Sequence, residues 1–172
     1  MRWRGAMRAG LLLAACMSAK AGDFAGVVTH VTDGDTLWVR PASGGAPRQV
    51  RIEGIDAPEI CQAFGAQARQ ALAARVLGRP VVVRSQASDN YQRMLGHISQ
   101  GEVDLGAWMV SSGHAWSYRF RGDPGRYAAE QARARTSRLG LWHADAPVSP
   151  REFRKRHGSC VTRPERDSQP DG

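Results

Sequence analysis

Four acidic residues lie in two turns that follow predicted strands. Asp33 and Asp35 flank Gly34 between two runs of β-branched and apolar residues. Asp56 and Glu59 follow a third such run. Carboxylate oxygens are the ligands that hard cations such as Ca²⁺ and Mg²⁺ prefer, so the two turns would form a cation site if the fold brings them together. The alternative is that each aspartate only accepts backbone N–H bonds within its own turn.

Two arginines accompany these turns. In the run Val50-Arg51-Ile52, the alternation of a strand places Arg51 on the face opposite its apolar neighbours. Arg93 begins a later predicted strand. A guanidinium offers two parallel donors that match phosphate oxygens, whereas lysine offers a point charge. Taken alone, each arginine is explained as well by an ordinary surface position.

The same residues form three spaced motifs in order. They are Asp33-Gly34-Asp35-Thr36, Arg51-(x)4-Asp56-Ala57-Pro58-Glu59 and Asp89-Asn90-Tyr91-Gln92-Arg93. In these motifs the chain resembles the staphylococcal nuclease-like (thermonuclease) domain family, whose pattern is D-G-D-T, R-(x)4-D-[TA]-P-E and D-x-Y-x-R. The resemblance runs from about Phe24 to about Arg154 and includes the segments 113–116 and 140–142.

The resemblance implies a fold, an activity and a cofactor. The fold would be α+β, a five-stranded OB-fold β-barrel with three helices, and the activity would be hydrolysis of phosphodiester bonds in DNA, RNA or both. The implied cofactor is Ca²⁺, held by the carboxylates of Asp35 and Asp56 and the main-chain carbonyl of Ala57, with another hard divalent cation as the alternative. Relatives often carry threonine at the position of Ala57, a change that leaves a backbone ligand in place.

The resemblance also assigns catalytic roles. Glu59 would act as the general base that deprotonates the attacking water. Arg51 and Arg93 would bind the phosphate and stabilise its transition state, and Tyr91 would contact the substrate. By analogy with the family, the 5′ P–O bond breaks and the products end in a 3′-phosphate.

The third motif departs from the family pattern in its flanking residues. Asn90 stands where relatives often have lysine, and Gln92 and Met94 replace glycines beside the arginine. We expect these changes to alter the conformation of the loop and its affinity for substrate. The arginine itself is retained. Two residues, Tyr118 and Phe120, are equally placed to stack on a base, and the choice between them stays open.

Hydrophobic periodicity and turn signals predict the elements that position these residues. Strands are predicted as a hairpin within 24–39 and as single runs at 49–55, 81–83 and 94–99. Helical spacing and flanking glycines predict helices over 64–77, 103–112 and 127–138. Strands, a helix, more strands and then two helices favour an α+β protein built on a small barrel.

The N-terminal segment has the pattern of a secretory leader. Arg2, Arg4 and Arg8 precede a short apolar run over 9–15 and an A-x-A site that ends at residue 21. We therefore expect a signal peptide at 1–21, one domain at 22–157, a disordered tail at 158–172 and a secreted or periplasmic location. The alternative is a lipobox, in which Cys16 is lipidated and the product is an outer-membrane lipoprotein. The apolar run is too short to span a bilayer.

Cysteines and charge agree with export but do not identify a partner. Removal of the leader leaves two of the three cysteines, Cys61 and Cys160, and a disulfide between them is predicted in an oxidising compartment, with two free thiols as the alternative. The formal charge of +8 falls to +4, from 20 basic and 16 acidic residues. An excess this small does not by itself indicate a polyanion-binding protein. A monomer is the default expectation.

Two activities therefore compete. The first is an exported Ca²⁺-dependent nuclease, favoured because Asp35, Arg51, Asp56, Glu59 and Arg93 all occur in order. The second is a non-catalytic OB-fold module that binds nucleic acid, since the same fold serves both purposes.

Overall fold

The structure is a computed structural model that describes residues 22–89, 93–119 and 121–160. Its strands are β1 Phe24–Val31, β2 Thr36–Pro41, β3 Arg48–Ile52, β4 Ile55–Asp56, β5 Pro80–Ser88, β6 Met94–Gln100, β7 Val103–Asp104 and β8 Trp116–Ser117. Its helices are α1 Gly65–Val76, α2 Leu105–Ser111, α3 Ala128–Thr136 and α4 Pro150–His157, with a 3₁₀ helix at Gly140–His143 between the last two. The predicted leader and the residues from 161 onward lie outside the described part of the chain.

Five strands close into a mixed β-barrel. β1 pairs in antiparallel fashion with β2 and β5, and β2–β3 and β5–β6 are also antiparallel. The barrel closes through a parallel pairing of β3 with β6, in which Arg51 lies opposite Leu95. The family's predicted five-stranded OB-fold barrel is thereby confirmed.

The core follows from the alternation of the strands. Leu37 and Val39 of β2 and Val50 and Ile52 of β3 are almost fully buried, while the residues between them are more exposed. Helix α1 adds an apolar face to the same core through Ala68, Leu72 and Val76. These three residues have the four-residue spacing that predicted the helix.

The helices differ from the prediction in number. α1, α2 and α3 fall within the predicted ranges, although Val103 and Asp104 form β7 before Asp104 caps α2. The expectation of three helices was wrong for the described residues, because α4 is a fourth. α4 has no apolar stripe to predict it. Its start is marked by Pro150 at the first helical position and by Ser149, which accepts a hydrogen bond from the Glu152 N–H.

Two further features bear on the predictions. Cys61 and Cys160 are joined by a disulfide, as predicted, and it links the segment before α1 to the end of α4. Among the described residues, no helix has both the length and the apolar character needed to cross a membrane.

Candidate active site

The two acidic turns pack directly against each other. Asp33 accepts a hydrogen bond of 2.9 Å from the Asp35 N–H and so shapes the turn between β1 and β2. A Cβ atom on Gly34 would lie 2.7 Å from the Cβ of Ala57 and 2.9 Å from that of Ala68. Only glycine therefore lets this turn approach the second turn and α1 so closely.

Asp35 lies at the junction of the turns and is buried, with an exposed fraction of 3%. Its Oδ1 accepts hydrogen bonds from the Thr36 hydroxyl at 2.9 Å and from Arg51 at 2.8 Å. Its Oδ2 accepts from the Ala57 N–H at 3.1 Å. One carboxylate thus connects the first turn, strand β3 and the second turn.

Arg51 bridges two carboxylates from the wall of the barrel. Its Nη1 contacts Asp35 Oδ1 at 2.8 Å and its Nη2 contacts Asp56 Oδ1 at 3.0 Å. Burial alone would lower the pKa of this guanidinium, and the charges of Asp35 and Asp56 outweigh burial and raise that pKa. Arg51 is therefore a permanent positive charge between the two predicted cation ligands.

The carboxylates are crowded even with Arg51 between them. Burial, followed by the negative charge of Asp35, raises the pKa of Asp33 to about 7. Burial is also the main reason that the pKa of Asp56 is raised. Buried like charges of this kind are relieved when a cation binds beside them.

The donor chemistry of the turns fits a hard cation. Asp35 and Asp56 supply carboxylate oxygens and Ala57 supplies a backbone carbonyl beside them, and hard cations take ligands of this kind. Within residues 22–89, 93–119 and 121–160, no group of three or more His, Cys, Asp or Glu side chains is arranged to hold a metal. A cation at Asp35 and Asp56 would thus depend on backbone and water oxygens for the rest of its shell.

Glu59 lies beside the same carboxylates, and its partner was not predicted. Arg154 of α4 contacts Glu59 Oε1 at 2.7 Å through Nη1 and Asp56 Oδ2 at 3.1 Å through Nη2. In the sequence, Arg154 is one of several basic residues between Arg151 and His157. The contact joins residues 95 and 98 positions apart, so no local motif could reveal it.

Arg93 reaches the site beside β3, because β6 pairs with β3 and Met94 lies opposite Val50. It precedes β6 and pairs with Asp89, with Nη2 2.7 Å from Asp89 Oδ2. Tyr91, the predicted substrate contact, falls outside the described residues, as does Phe120. Tyr118, the other candidate for base stacking, is 47% exposed.

Several of these side chains line an open cleft of about 800 Å³. Its lining includes Asp33, Arg51, Glu59, Arg93, Tyr118 and Arg154. Three arginines and four acidic residues, with Glu53 and Asp89 added, therefore line one groove. Such a groove can hold a phosphate between guanidinium groups while a carboxylate contacts water.

A protein-family model described as "Staphylococcal nuclease homologue" matches residues 49–144, more than half of the chain. The chain belongs to this family. The matched range includes Arg51, Asp56, Glu59 and Arg93, and it excludes Asp35 and Arg154.

Relatives of this staphylococcal nuclease homologue span most of its length. "Protein ParB" of Escherichia coli is 38% identical over 163 residues, covering 87% of this chain and 90% of the relative. "Micrococcal nuclease" of Shigella flexneri is 37% identical over 77% of this chain and 82% of the relative. An "Uncharacterized endonuclease" of Haemophilus influenzae is 32% identical over 74% and 71%. The family and these names support the prediction that the chain is a hydrolase of the nuclease type.

Proposed function

We propose that this protein is an exported, Ca²⁺-dependent nuclease that hydrolyses phosphodiester bonds of DNA, RNA or both and leaves 3′-phosphate ends. The observation that carries the proposal is that Arg51, which lines an open cleft, contacts both Asp35 and Asp56. Glu59 and Arg93 line the same cleft. These residues come from separate turns and strands, and the barrel brings them together around a space large enough for a phosphodiester.

The cation would be held by Asp35, Asp56 and the carbonyl of Ala57. When bound, it supplies positive charge that neutralises the phosphate and lowers the pKa of a bound water. Burial and then the negative charge of Asp35 raise the pKa of Asp33 to about 7, and a cation beside these carboxylates would relieve the second of these effects.

Glu59 is the general base of the proposal. Its carboxylate takes a proton from the water whose oxygen attacks phosphorus, and the bond to the 5′ oxygen breaks as the new P–O bond forms. The 5′ oxygen leaves with the bonding electron pair and takes a proton from solvent water, and the phosphate stays on the 3′ side. Glu59 is suited to this role because it lines the cleft and shares its partner Arg154 with Asp56.

The two predicted arginines stabilise the phosphate as its negative charge grows. Arg51 and Arg93 line one cleft, Arg51 from the barrel wall at β3 and Arg93 from the segment before β6. Planar guanidinium groups that donate to the phosphate oxygens stabilise the transition state more than the ground state.

Export is proposed from the leader at 1–21, with a secreted or periplasmic product and lipidation at Cys16 as the alternative. The Cys61–Cys160 disulfide supports an oxidising compartment. Mass spectrometry of the N-terminus of the processed protein tests this part: a new terminus near residue 22 supports soluble release, and a lipidated Cys16 supports anchoring.

The test of the catalytic role is Glu59→Gln. Gln keeps the size of the side chain but cannot accept the proton, so we expect the rate of cleavage of single-stranded DNA and RNA to fall by about 10²–10⁴ while substrate binding is retained. Glu102→Gln, an exposed change in the β6–β7 turn, is the matched control and should cleave like the wild type. Products that cannot be extended by a polymerase until a phosphatase acts would carry the expected 3′-phosphate.

Wild-type activity in Glu59→Gln would exclude Glu59 as the base. Binding of nucleic acid without cleavage by the wild type would favour the non-catalytic OB-fold module instead.

A further inference from the structure

Arg154 occupies the position that a cation on Asp56 would need. Both of its terminal nitrogens lie within 3.3 Å of Asp56 Oδ1, and Nη2 is 3.1 Å from Oδ2. Arg51 contacts the same Oδ1 at 3.0 Å. In the described part of the chain, every hydrogen bond to the Asp56 carboxylate comes from one of these two guanidinium groups.

The helix that carries Arg154 is fixed on both sides of it. Before α4, the Gln62 side chain donates a hydrogen bond of 2.7 Å to the Val148 carbonyl. After α4, Cys160 is joined by the disulfide to Cys61. Glu59, Cys61 and Gln62 therefore hold α4 at three points from one short segment, and Arg154 lies between the two outer attachments.

These contacts make an alternating row of charges. Arg51 lies between Asp35 and Asp56, and Arg154 lies between Asp56 and Glu59. A divalent cation on Asp56 would share its oxygens with Arg154 and would be repelled by the guanidinium at a distance of a few ångströms. Arg154 can keep its contact with Glu59 when the contact with Asp56 is lost, because Nη1 lies closer to Glu59, at 2.7 Å, than to Asp56, at 3.3 Å.

We infer that Arg154 is a positioning residue that competes with the divalent cation for Asp56 and moves onto Glu59 alone when the cation binds. This inference rests on the proposed function, since it assumes a cation at Asp35 and Asp56. Arg154 would thus set how much free cation the nuclease needs, with α4 and the disulfide keeping the competitor in place.

The test is calorimetric titration of Ca²⁺ into the chelator-stripped full protein without substrate. Arg154→Gln removes the competing charge, so we expect Ca²⁺ to bind about tenfold more tightly than to the wild type. Arg154→Lys keeps a positive charge at this position, so its Ca²⁺ affinity should be closer to that of the wild type. Arg156→Gln is the matched control, because it removes the same charge from the same helix at a residue that pairs with Glu152, and its affinity should stay within about twofold of wild type.

The outcomes separate this inference from the proposed function. If the wild type binds Ca²⁺ and Arg154→Gln binds it with the same or lower affinity, the inference is overturned and the nuclease proposal stands. Equal tightening in Arg156→Gln overturns it too, because general charge would then explain the effect. Absence of Ca²⁺ binding in the wild type and all variants overturns both the Ca²⁺ assignment and the inference.

A second measurement keeps the inference testable if Arg154→Gln does not fold. Replacing both Cys61 and Cys160 by serine releases the end of α4, so Arg154 should compete less well and Ca²⁺ should bind several-fold more tightly, on the order of threefold to tenfold. Unchanged affinity in this variant would contradict a competitor that the disulfide holds in place.

Discussion

Arg51 contacts two acidic side chains with its two terminal nitrogens, a geometry that a single ammonium group cannot reproduce. For Arg51→Lys we therefore expect the rate of cleavage at saturating Ca²⁺ to fall by about 10²–10³, close to the loss in Arg51→Ala. Steady-state cleavage of single-stranded DNA measures this. Arg40→Lys, an exposed change on β2, serves as the control. Full activity in Arg51→Lys would show that only the charge of Arg51 matters.

Asp33 is the residue whose protonation should be visible in stability. Its folded pKa of about 7 lies above the unfolded value of about 3.9, so the metal-free protein loses stability as the pH rises from about 4 through 7. Asp33→Asn removes this loss and keeps an oxygen for the Asp35 N–H. At pH 8 we expect the variant to be more stable than wild type by up to about 4 kcal/mol, with the difference shrinking toward pH 4.

Urea unfolding of the metal-free wild type and Asp33→Asn between pH 4 and pH 8 measures their difference in the free energy of unfolding. Added Ca²⁺ should reduce it, because the cation relieves the same repulsion. If Asp33→Asn is less stable than the wild type at pH 8, the ionised Asp33 carboxylate stabilises the fold, contrary to this prediction.

At this scale, motif spacing predicted which acids and arginines meet but not how they meet. The pairing of Arg51 with both Asp35 and Asp56 follows from the β2–β3 register, which places Thr36 opposite Arg51, and from the turn after β3. Arg154 could not be predicted, because one arginine in a basic run is indistinguishable from its neighbours until α4 is placed.

At the scale of elements, the turn between β1 and β2 depends on a missing side chain. Gly34→Ala would place a methyl group against Ala57 and Ala68, and the turn carrying Asp33 and Asp35 would have to move. We expect a loss of about 1–3 kcal/mol in the free energy of unfolding and a large fall in cleavage rate. Thermal or urea unfolding and the cleavage assay measure the two effects.

The double variant Gly34→Ala with Ala57→Gly is the matched control. It removes the nearer of the two clashing methyl groups, so stability and activity should recover in part. Gly34→Ala with wild-type stability and rate would show that the turns do not need this close approach.

α1 had an apolar period that predicted it, whereas α4 did not. α1 was predicted from the spacing of Ala68, Leu72 and Val76, which all face the core. α4 is almost entirely polar, and it is held by a disulfide, a side-chain hydrogen bond and the Arg154 ion pairs. Periodicity does not report tertiary contacts of that kind.

At the scale of the whole molecule, net charge says little about function, whereas its distribution says more. The last turn of α4 carries Arg154, Lys155, Arg156 and His157, and only Arg154 of these lines the cleft. The barrel topology was predicted through the family resemblance, but the parallel closure of β3 on β6 has no signature in local sequence. Closure is what converts three separate motifs into one groove.

The measurement that tests the central claim most directly is cation-controlled cleavage. Purified protein lacking the leader is incubated with single-stranded DNA and with RNA in Ca²⁺, then in excess chelator, then with Ca²⁺ restored. We expect cleavage in Ca²⁺, its loss in chelator and its return on restoration. Cleavage that continues unchanged in chelator would contradict the cation site at Asp35 and Asp56, and no cleavage of either nucleic acid under any of these conditions would contradict the nuclease.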